Sequence, residues 1–328
     1  MARVAGQDGL ATAAGAGDER AFVELTSPHR RALHLHCYRL LGSVHDADDA
    51  LQEALLRAWR GIGDYEPRAP VSAWLYRIAT NVCLRMLEQR SRYAAIAVDA
   101  RLEPYPEPAA PAALEPIASV ESDEAVGLAF IAAMQLLTTK QRVVLVLRDV
   151  LDWSTREVAE LLDDTEAAVN SALQRARERI RQEQTEGSLA RAHRPTSGEV
   201  EAHVMQRFQD AWKAVDIDGI LQLLAADALL TMPPEGMRFQ GAGAIAEFFA
   251  NVPLDGRLER IRLIPRRANG QPALAAYAEN EHTGDYDAYG VMVFAIEDER
   301  IVGITGFPRQ IELFLRLGLP ESLTAADA

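Results

Sequence analysis

From Asp18 to about Arg92 apolar residues recur at steps of three and four, a period that predicts helix throughout. A first helix over Glu19 to Leu41 would turn Phe22, Leu25, Leu33, Cys37, Leu40 and Leu41 inward, break near Pro28 and close at Gly42. A second, over residues 46–60, puts Ala50, Leu51, Ala54, Leu55 and Ala58 on one face and Asp48, Asp49, Gln52 and Glu53 on the other. A third, over 71–90, would bury Trp74, Leu75, Ile78, Val82 and Met86. It leaves Arg77, Asn81 and Arg85 as one polar ridge at four-residue steps. Residues 1–17, rich in Gly and Ala, carry no period and read as disordered. Residues 93–124 hold five prolines and seven acids and read as a linker.

The helical period resumes over 125–181. Leu128, Ile131, Met134 and Leu137 lead into a helix of Val143 to Val150, with Thr139 placed to cap it. Two short amphipathic helices follow, joined by a tight turn: Val158, Ala159, Leu161 and Leu162 face inward on the first, Val169, Leu173, Ala176 and Ile180 on the second. That is helix-turn-helix spacing. Asp163 and Asp164 suit the turn, and Thr165 suits the cap of the second helix. Its outer face carries Asn170, Gln174, Arg177 and Arg181, with Ser171 and Arg175 beside them, the residue types a recognition helix presents to a major groove. An Arg-rich outer face is also what a solvated helical bundle shows, so the rest of the chain must decide.

After a polar second linker, 182–198, the pattern changes. A helix through Val204, Phe208, Ala211, Trp212 and Val215, another over Ile217–Ala225, a short strand A-L-L-T-M-P-P and a helix over Gly241–Ala250 precede strand-like runs near 257–267, 272–281, 286–297 and 300–307. Helices first and antiparallel strands after predict an α+β unit.

Charge sharpens this division. The net charge of −14 argues against a chain that coats nucleic acid on its own. Residues 28–92 nevertheless hold ten arginines against seven acids, whereas 199–328 hold eleven basic residues against twenty acids. The two cysteines, Cys37 and Cys83, imply neither a disulfide framework nor a zinc site, and no cofactor or metal is expected. With no apolar run of membrane-spanning length and no signal-peptide order, a cytoplasmic location and no membrane partner are expected.

D-A-D-D-A-L-Q-E-A, then the Trp74 helix with Arg77, Asn81 and Arg85, then L-T-T-K-Q-R-V-V-L-V-L-R-D-V-L-D-W-S-T-R-E-V-A-E-L-L resemble a bacterial RNA polymerase sigma factor of the extracytoplasmic-function class, within the sigma-70 superfamily. The likeness covers roughly residues 18–181. It implies a non-enzymatic subunit that directs polymerase core to promoters. Region 2 would span 18–92 and region 4 125–181. Core binding, to the clamp helices of the largest subunit and to the flap, would fall to Asp48, Asp49, Gln52 and Glu53. The minus-ten element would be read by Tyr76, Arg77, Asn81 and Arg85, with Trp74 mainly core. The minus-thirty-five element falls to Asn170, Ser171, Gln174 and Arg175, with Arg177 and Arg181 on phosphates.

Residues 199–328, with D-A-L-L-T-M-P-P and the ending I-V-G-I-T-G-F-P, resemble the SnoaL-like cone fold of the cystatin/NTF2 type, an extension found in a sigma-G-like subgroup. The fold class expected is therefore multidomain, two all-α domains followed by an α+β domain. The cone implies a pocket lined by Trp212, Met232, Phe239, Phe248, Tyr277 and Tyr289, with Met292 nearby, and a small-molecule ligand for it. Arg238, His282, Asp285 and Asp287 are its polar candidates, although the last three also read as an exposed hairpin turn. The expectation is intramolecular control of the sigma domains by this extension. Two alternatives are a stand-alone helix-turn-helix regulator with a ligand-binding domain, and an isomerase or hydrolase fused to a DNA-binding module, for which Asp285 or Asp287 would have to act.

Overall fold

Asp18 opens the first run of helices by accepting hydrogen bonds from the N–H groups of Arg20 (2.9 Å) and Ala21 (3.1 Å), which caps α2 (Glu19–Thr26). The computed structural model describes residues 2–66, 70–93, 102–107, 127–185, 197–233 and 236–324. Ser27 to His29 form one 3-10 turn at Pro28, and α3 (Arg30–Leu41) ends where Gly42 takes φ +77°. Ser43 accepts from the N–H of Asp46, so α4 (Val44–Gly61) begins two residues before the predicted 46. α5 spans Val71–Tyr93. Ahead of them lies α1 (Ala2–Gly15), where disorder was expected. Ala14 is buried, and the Cβ position of Gly15 is 3.5 Å from Gly63 Cα: small residues pack this helix against the turn after α4 without any large apolar stripe.

The buried face of α5 is Leu75, Ala79, Val82, Cys83 and Leu87. Trp74, Ile78 and Met86 are only half-buried, so the stripe is rotated from the predicted one toward the small residues Ala79 and Cys83. Cys37 and Cys83 meet in this core as free thiols, and burial holds the Cys83 thiol well above its ordinary value.

The same compact unit, Met1–Ile96 with Met134–Arg179, contains α7 (Thr139–Leu145), α8 (Thr155–Leu162) and most of α9 (Glu166–Thr185). Thr138, not the expected Thr139, caps α7, in a reciprocal box with Gln141. Arg142, buried on α7, donates to the carbonyls of Met134 (2.9 Å), Gln135 (3.0 Å) and Leu40 (2.8 Å). One guanidinium thus satisfies chain ends of α3 and of α6 (Leu128–Gln135).

The second unit, Ala97–Ala133 with Ile180–Ala328, is built on one sheet. α10 (Gly198–Lys213) and α11 (Ile217–Leu223) lead into β1 (Leu224–Met232) and β2 (Met237–Gln240). After α12 (Ala242–Asn251) come β3 (Ile261–Ala268), β4 (Gln271–Glu279), β5 (Tyr286–Glu297) and β6 (Arg300–Pro308), then α13 (Ile311–Arg316) and β7 (Ser322–Leu323). The order is β2-β1-β6-β5-β4-β3, with β7 on β5. β1 and β6 run parallel, a departure from the all-antiparallel expectation, because the helix α12 and four strands separate them in sequence. Phe208, Trp212, Phe249 and Phe294 form the aromatic centre, with ring centroids 5.1–6.0 Å apart.

Asn269 and Gly270, both with positive φ, make the tight turn between β3 and β4. Part of the expected spacer lies on that turn. Tyr105 N–H donates to Asn269 Oδ1 (2.8 Å), Asn269 N–H donates back to Tyr105 O (3.0 Å), and the Glu107 carboxylate accepts from Gly270 N–H. Arg267 lies 3.5 Å from Glu107 and 2.8 Å from the buried Glu201, and Leu102 is buried. Gln271 closes the set by accepting from Leu128 N–H (2.7 Å). The rest of 93–124 beyond Tyr93 and 102–107, and most of 182–198, lie outside the described residues. Among those described, no helix is long and apolar enough to cross a membrane.

Candidate functional site

Three helical faces and one cavity hold the residues singled out from sequence. On α4, Asp49 and Gln52 are exposed and Asp48 and Glu53 half-buried. Asp48 lies 3.0 Å from His34 Nε2, Asp49 3.9 Å from His45 Nε2, and Glu53 accepts from Arg57 Nε at 2.6 Å. Leu56, 51 % exposed, stands one turn on from Gln52 and Glu53 and gives this acidic face an apolar centre. Sequence reasoning passed it over, although it lies off the buried stripe of Ala50, Ala54 and Ala58.

On α5, Arg77 and Arg85 are exposed and Asn81 is half-buried. Tyr76 meets His36 edge-on (5.2 Å) and Trp74 rests on Tyr65 (5.1 Å), so two half-buried aromatic rings neighbour the ridge. Behind it, Thr80 Oγ1 donates to Tyr76 O (2.8 Å) and accepts from His36 Nε2 (2.8 Å). Burial, then the charge of Arg39, lowers the pKa of His36 to about 3.

The helix-turn-helix forms as its spacing predicts. Ser154 and Glu157 make a capping box on α8, Asp163 takes φ +50° in the turn, and Thr165 Oγ1 accepts from Ala168 N–H (3.2 Å) to cap α9. Lys140 pairs with Asp164 behind the turn, which lowers the pKa of that carboxyl. Along the outer face Asn170, Gln174, Arg175, Arg177 and Arg181 are exposed, and Ser171 is half-buried. Arg175 donates to Ser171 Oγ (2.6 Å). Arg177 is already engaged, in a two-pronged pair with Asp149 at 2.7 and 3.0 Å that raises its pKa.

The C-terminal domain encloses a cavity of about 200 Å³. Trp212, Met232, Phe248 and Tyr289 line it, as does Met292. Phe239 and Tyr277 do not: Phe239 packs on the ring of Phe248 (4.8 Å). Tyr277 packs edge-on against Phe314 and donates to Pro320 O (2.8 Å), its own pKa pushed up to about 12 by burial. His282, exposed, and Asp285, half-buried, sit in the turn before β5, and Asp287, exposed near the start of β5, accepts from Asn280 Nδ2 (2.8 Å). Neither they nor Arg238 reach the lining, which among the described residues carries no carboxylate and no histidine.

The family descriptions that match are Sigma-70 region 2 over residues 25–93, Sigma-70 region 4 over 127–180 and SnoaL-like domain over 205–304. The chain is similar to the ECF RNA polymerase sigma factor SigG of Mycobacterium tuberculosis, 38% identical over 331 residues that cover 93% of this chain and 86% of that protein. SigW of Bacillus subtilis, also an ECF RNA polymerase sigma factor, is 31% identical over 173 residues, 51% of this chain and 90% of its own. Among solved structures, the extracytoplasmic function sigma factor SigJ of M. tuberculosis shares the fold at TM-score 0.64 and 22% identity, over 91% of this chain and 100% of that one.

Proposed function

The chain belongs to the extracytoplasmic-function sigma factors of RNA polymerase, and from that premise we propose which of its faces does which part of the work. The observation that carries the reading is the α4 face: exposed Asp49 and Gln52 around an exposed leucine are the composition of a protein interface with an apolar centre and a polar rim. Asp48, Asp49, Gln52, Glu53 and Leu56 bind polymerase core, at the clamp helices of its largest subunit, and the region 4 domain reaches the flap. Arg77, Asn81 and Arg85, with Tyr76 and Trp74 beside them, take the minus-ten strand, where cations and rings hold phosphates and unstacked bases. Asn170, Ser171, Gln174 and Arg175 read the minus-thirty-five element, and Arg181 contacts phosphate. Arg177, paired with Asp149, serves the domain more than the DNA.

The C-terminal domain modulates this activity by holding residues 102–107, part of the connector between regions 2 and 4, and its cavity takes a small ligand that sets how firmly. A lining without carboxylate or histidine among the described residues favours binding over acid–base turnover, so no enzymatic role is assigned. The protein acts in the cytoplasm, with its polymerase. Purified chain and polymerase core on the promoter of its own gene and on a promoter library test the assignment. Specific initiation is expected, and Leu56→Glu should weaken core binding about tenfold, roughly 1.4 kcal/mol. Absence of both core binding and initiation would end the sigma reading; core binding untouched by Leu56→Glu would remove α4 from the interface.

A further inference from the structure

The cavity grades from a closed apolar floor to an open rim. Trp212, Leu230, Phe249 and Ile261 are buried at the floor, and Trp212 Nε1 already donates to Ile261 O (3.3 Å), so nothing there asks for a polar ligand. Met237 and Val252, 37% and 51% exposed, mark the rim. There stand two polar side chains without a hydrogen bond or ion pair among the described residues, the Tyr289 hydroxyl and the Arg309 guanidinium. Arg309 N–H donates to Tyr289 O (3.0 Å), which sets the two residues side by side where β6 ends. Arg309 also has φ +58°, backbone that a long side chain rarely adopts and that tends to mark positions where something other than stability is served. A guanidinium and a hydroxyl that no described side chain engages, at the mouth of an apolar chamber with no acid among its described lining residues, make a carboxylate receptor.

Size fixes the rest of the ligand. An apolar cavity of roughly 150 Å³ takes up a benzene-sized molecule. One of about 200 Å³ holds a ring with one or two further carbons, or a short branched chain. Resting on the reading of this domain as ligand-modulated, we propose that the cavity binds a compact apolar monocarboxylic acid, its hydrocarbon part on Trp212 and Phe249 and its carboxylate between Arg309 and Tyr289.

The test is calorimetric titration of the full chain with three acids, benzoate, phenylacetate and octanoate, each against its neutral amide. Saturable one-to-one binding of at least one acid is expected, with its amide at least tenfold weaker. Arg309→Gln, an exposed substitution that leaves the fold intact, should weaken the acid about tenfold and leave the amide unchanged; Tyr289→Phe should have a smaller effect in the same direction. Acid and amide binding alike, or an Arg309→Gln variant that binds the acid as before, would overturn carboxylate recognition while leaving a ligand cavity in place. If none of the six compounds binds at 10 mM, roughly the weak end of useful small-ligand affinity, the proposal fails. Acid binding that leaves initiation with polymerase core unchanged would support the site and overturn only the modulatory reading on which it rests.

Discussion

His36 shows what one buried ionisable group does to a helical core. Its Nε2–H is spent on Thr80, its Nδ1 has no partner among the described residues, and the ring is wholly buried between α3 and α5. The folded chain keeps it neutral down to about pH 3, while the unfolded chain protonates it near 6.5. Between those values the unfolded state binds the extra proton, so the contribution of His36 is complete above pH 6.5. It declines by about 1.4 kcal/mol for each unit toward acid. Amide exchange of α3 and α5 at pH 7.5 and 5.5 should show it: protection falls on acidification in the parent and falls less in His36→Gln. Equal slopes in the two would mean that other groups carry the acid sensitivity. Arg39, the nearby cation that adds to the shift, lies in the same helix and makes protonation harder still.

At the scale of the element, α9 carries two kinds of arginine and asparagine contact that sequence period alone cannot separate. Asn170 is exposed and accepts from Thr155 Oγ1 at 3.4 Å, whereas Arg177 is bound to Asp149. Asn170→Ala should therefore change promoter preference at one base position by about 1–3 kcal/mol with little change in stability. Arg177→Ala should leave the preference intact and cost the domain at most about 1 kcal/mol, as exposed ion pairs do. Initiation on a library randomised over the upstream element, set against thermal melts, separates the two; a shift of preference with Arg177→Ala would return that residue to the DNA. The connector is a second case. Asn269→Ala together with Glu107→Ala removes two of the side chains holding residues 102–107 and should raise their amide exchange at least tenfold, with a change in transcription output. Unchanged output despite raised exchange would make this contact structural only.

The helices, the break at Pro28, the stop at Gly42, the helix-turn-helix and four of the six cavity residues follow from local period and chemistry, and were legible for that reason. α1 was not, because Ala and Gly pack by closeness and leave no stripe. Residues 102–107 were not, because their contacts are backbone groups with Asn269 and Glu107, which have no period; Asn269-Gly270 itself was a readable turn signal. The parallel pairing of β1 with β6 joins segments distant in sequence, which no local pattern records. Tyr277 was misplaced because alternation says which residues share a face of a strand and not which face meets the cavity.

For the molecule as a whole the deciding quantity is charge. On the proposed assignment, a chain at −14 would gain from phosphate contact over the ridge of α5 and the outer face of α9, while the acidic residues 199–328 would repel DNA. Each phosphate neutralised adds about 0.9 to the slope of log affinity against log salt, and non-specific binding at physiological salt lies near 10⁻⁴–10⁻⁶ M. The few exposed arginines here put the free chain at or beyond the weak end of that range, with little discrimination between promoter and random DNA. On the same assignment, polymerase core docked on α4 would supply the remaining cationic surface, so specificity should emerge only in the holoenzyme. Titration of a labelled promoter fragment with chain alone and with chain plus core, at two salt concentrations, measures this directly. Nanomolar, sequence-specific binding by the chain alone would contradict it and favour a stand-alone helix-turn-helix regulator, because affinity of that kind needs no partner to offset the acidity of residues 199–328.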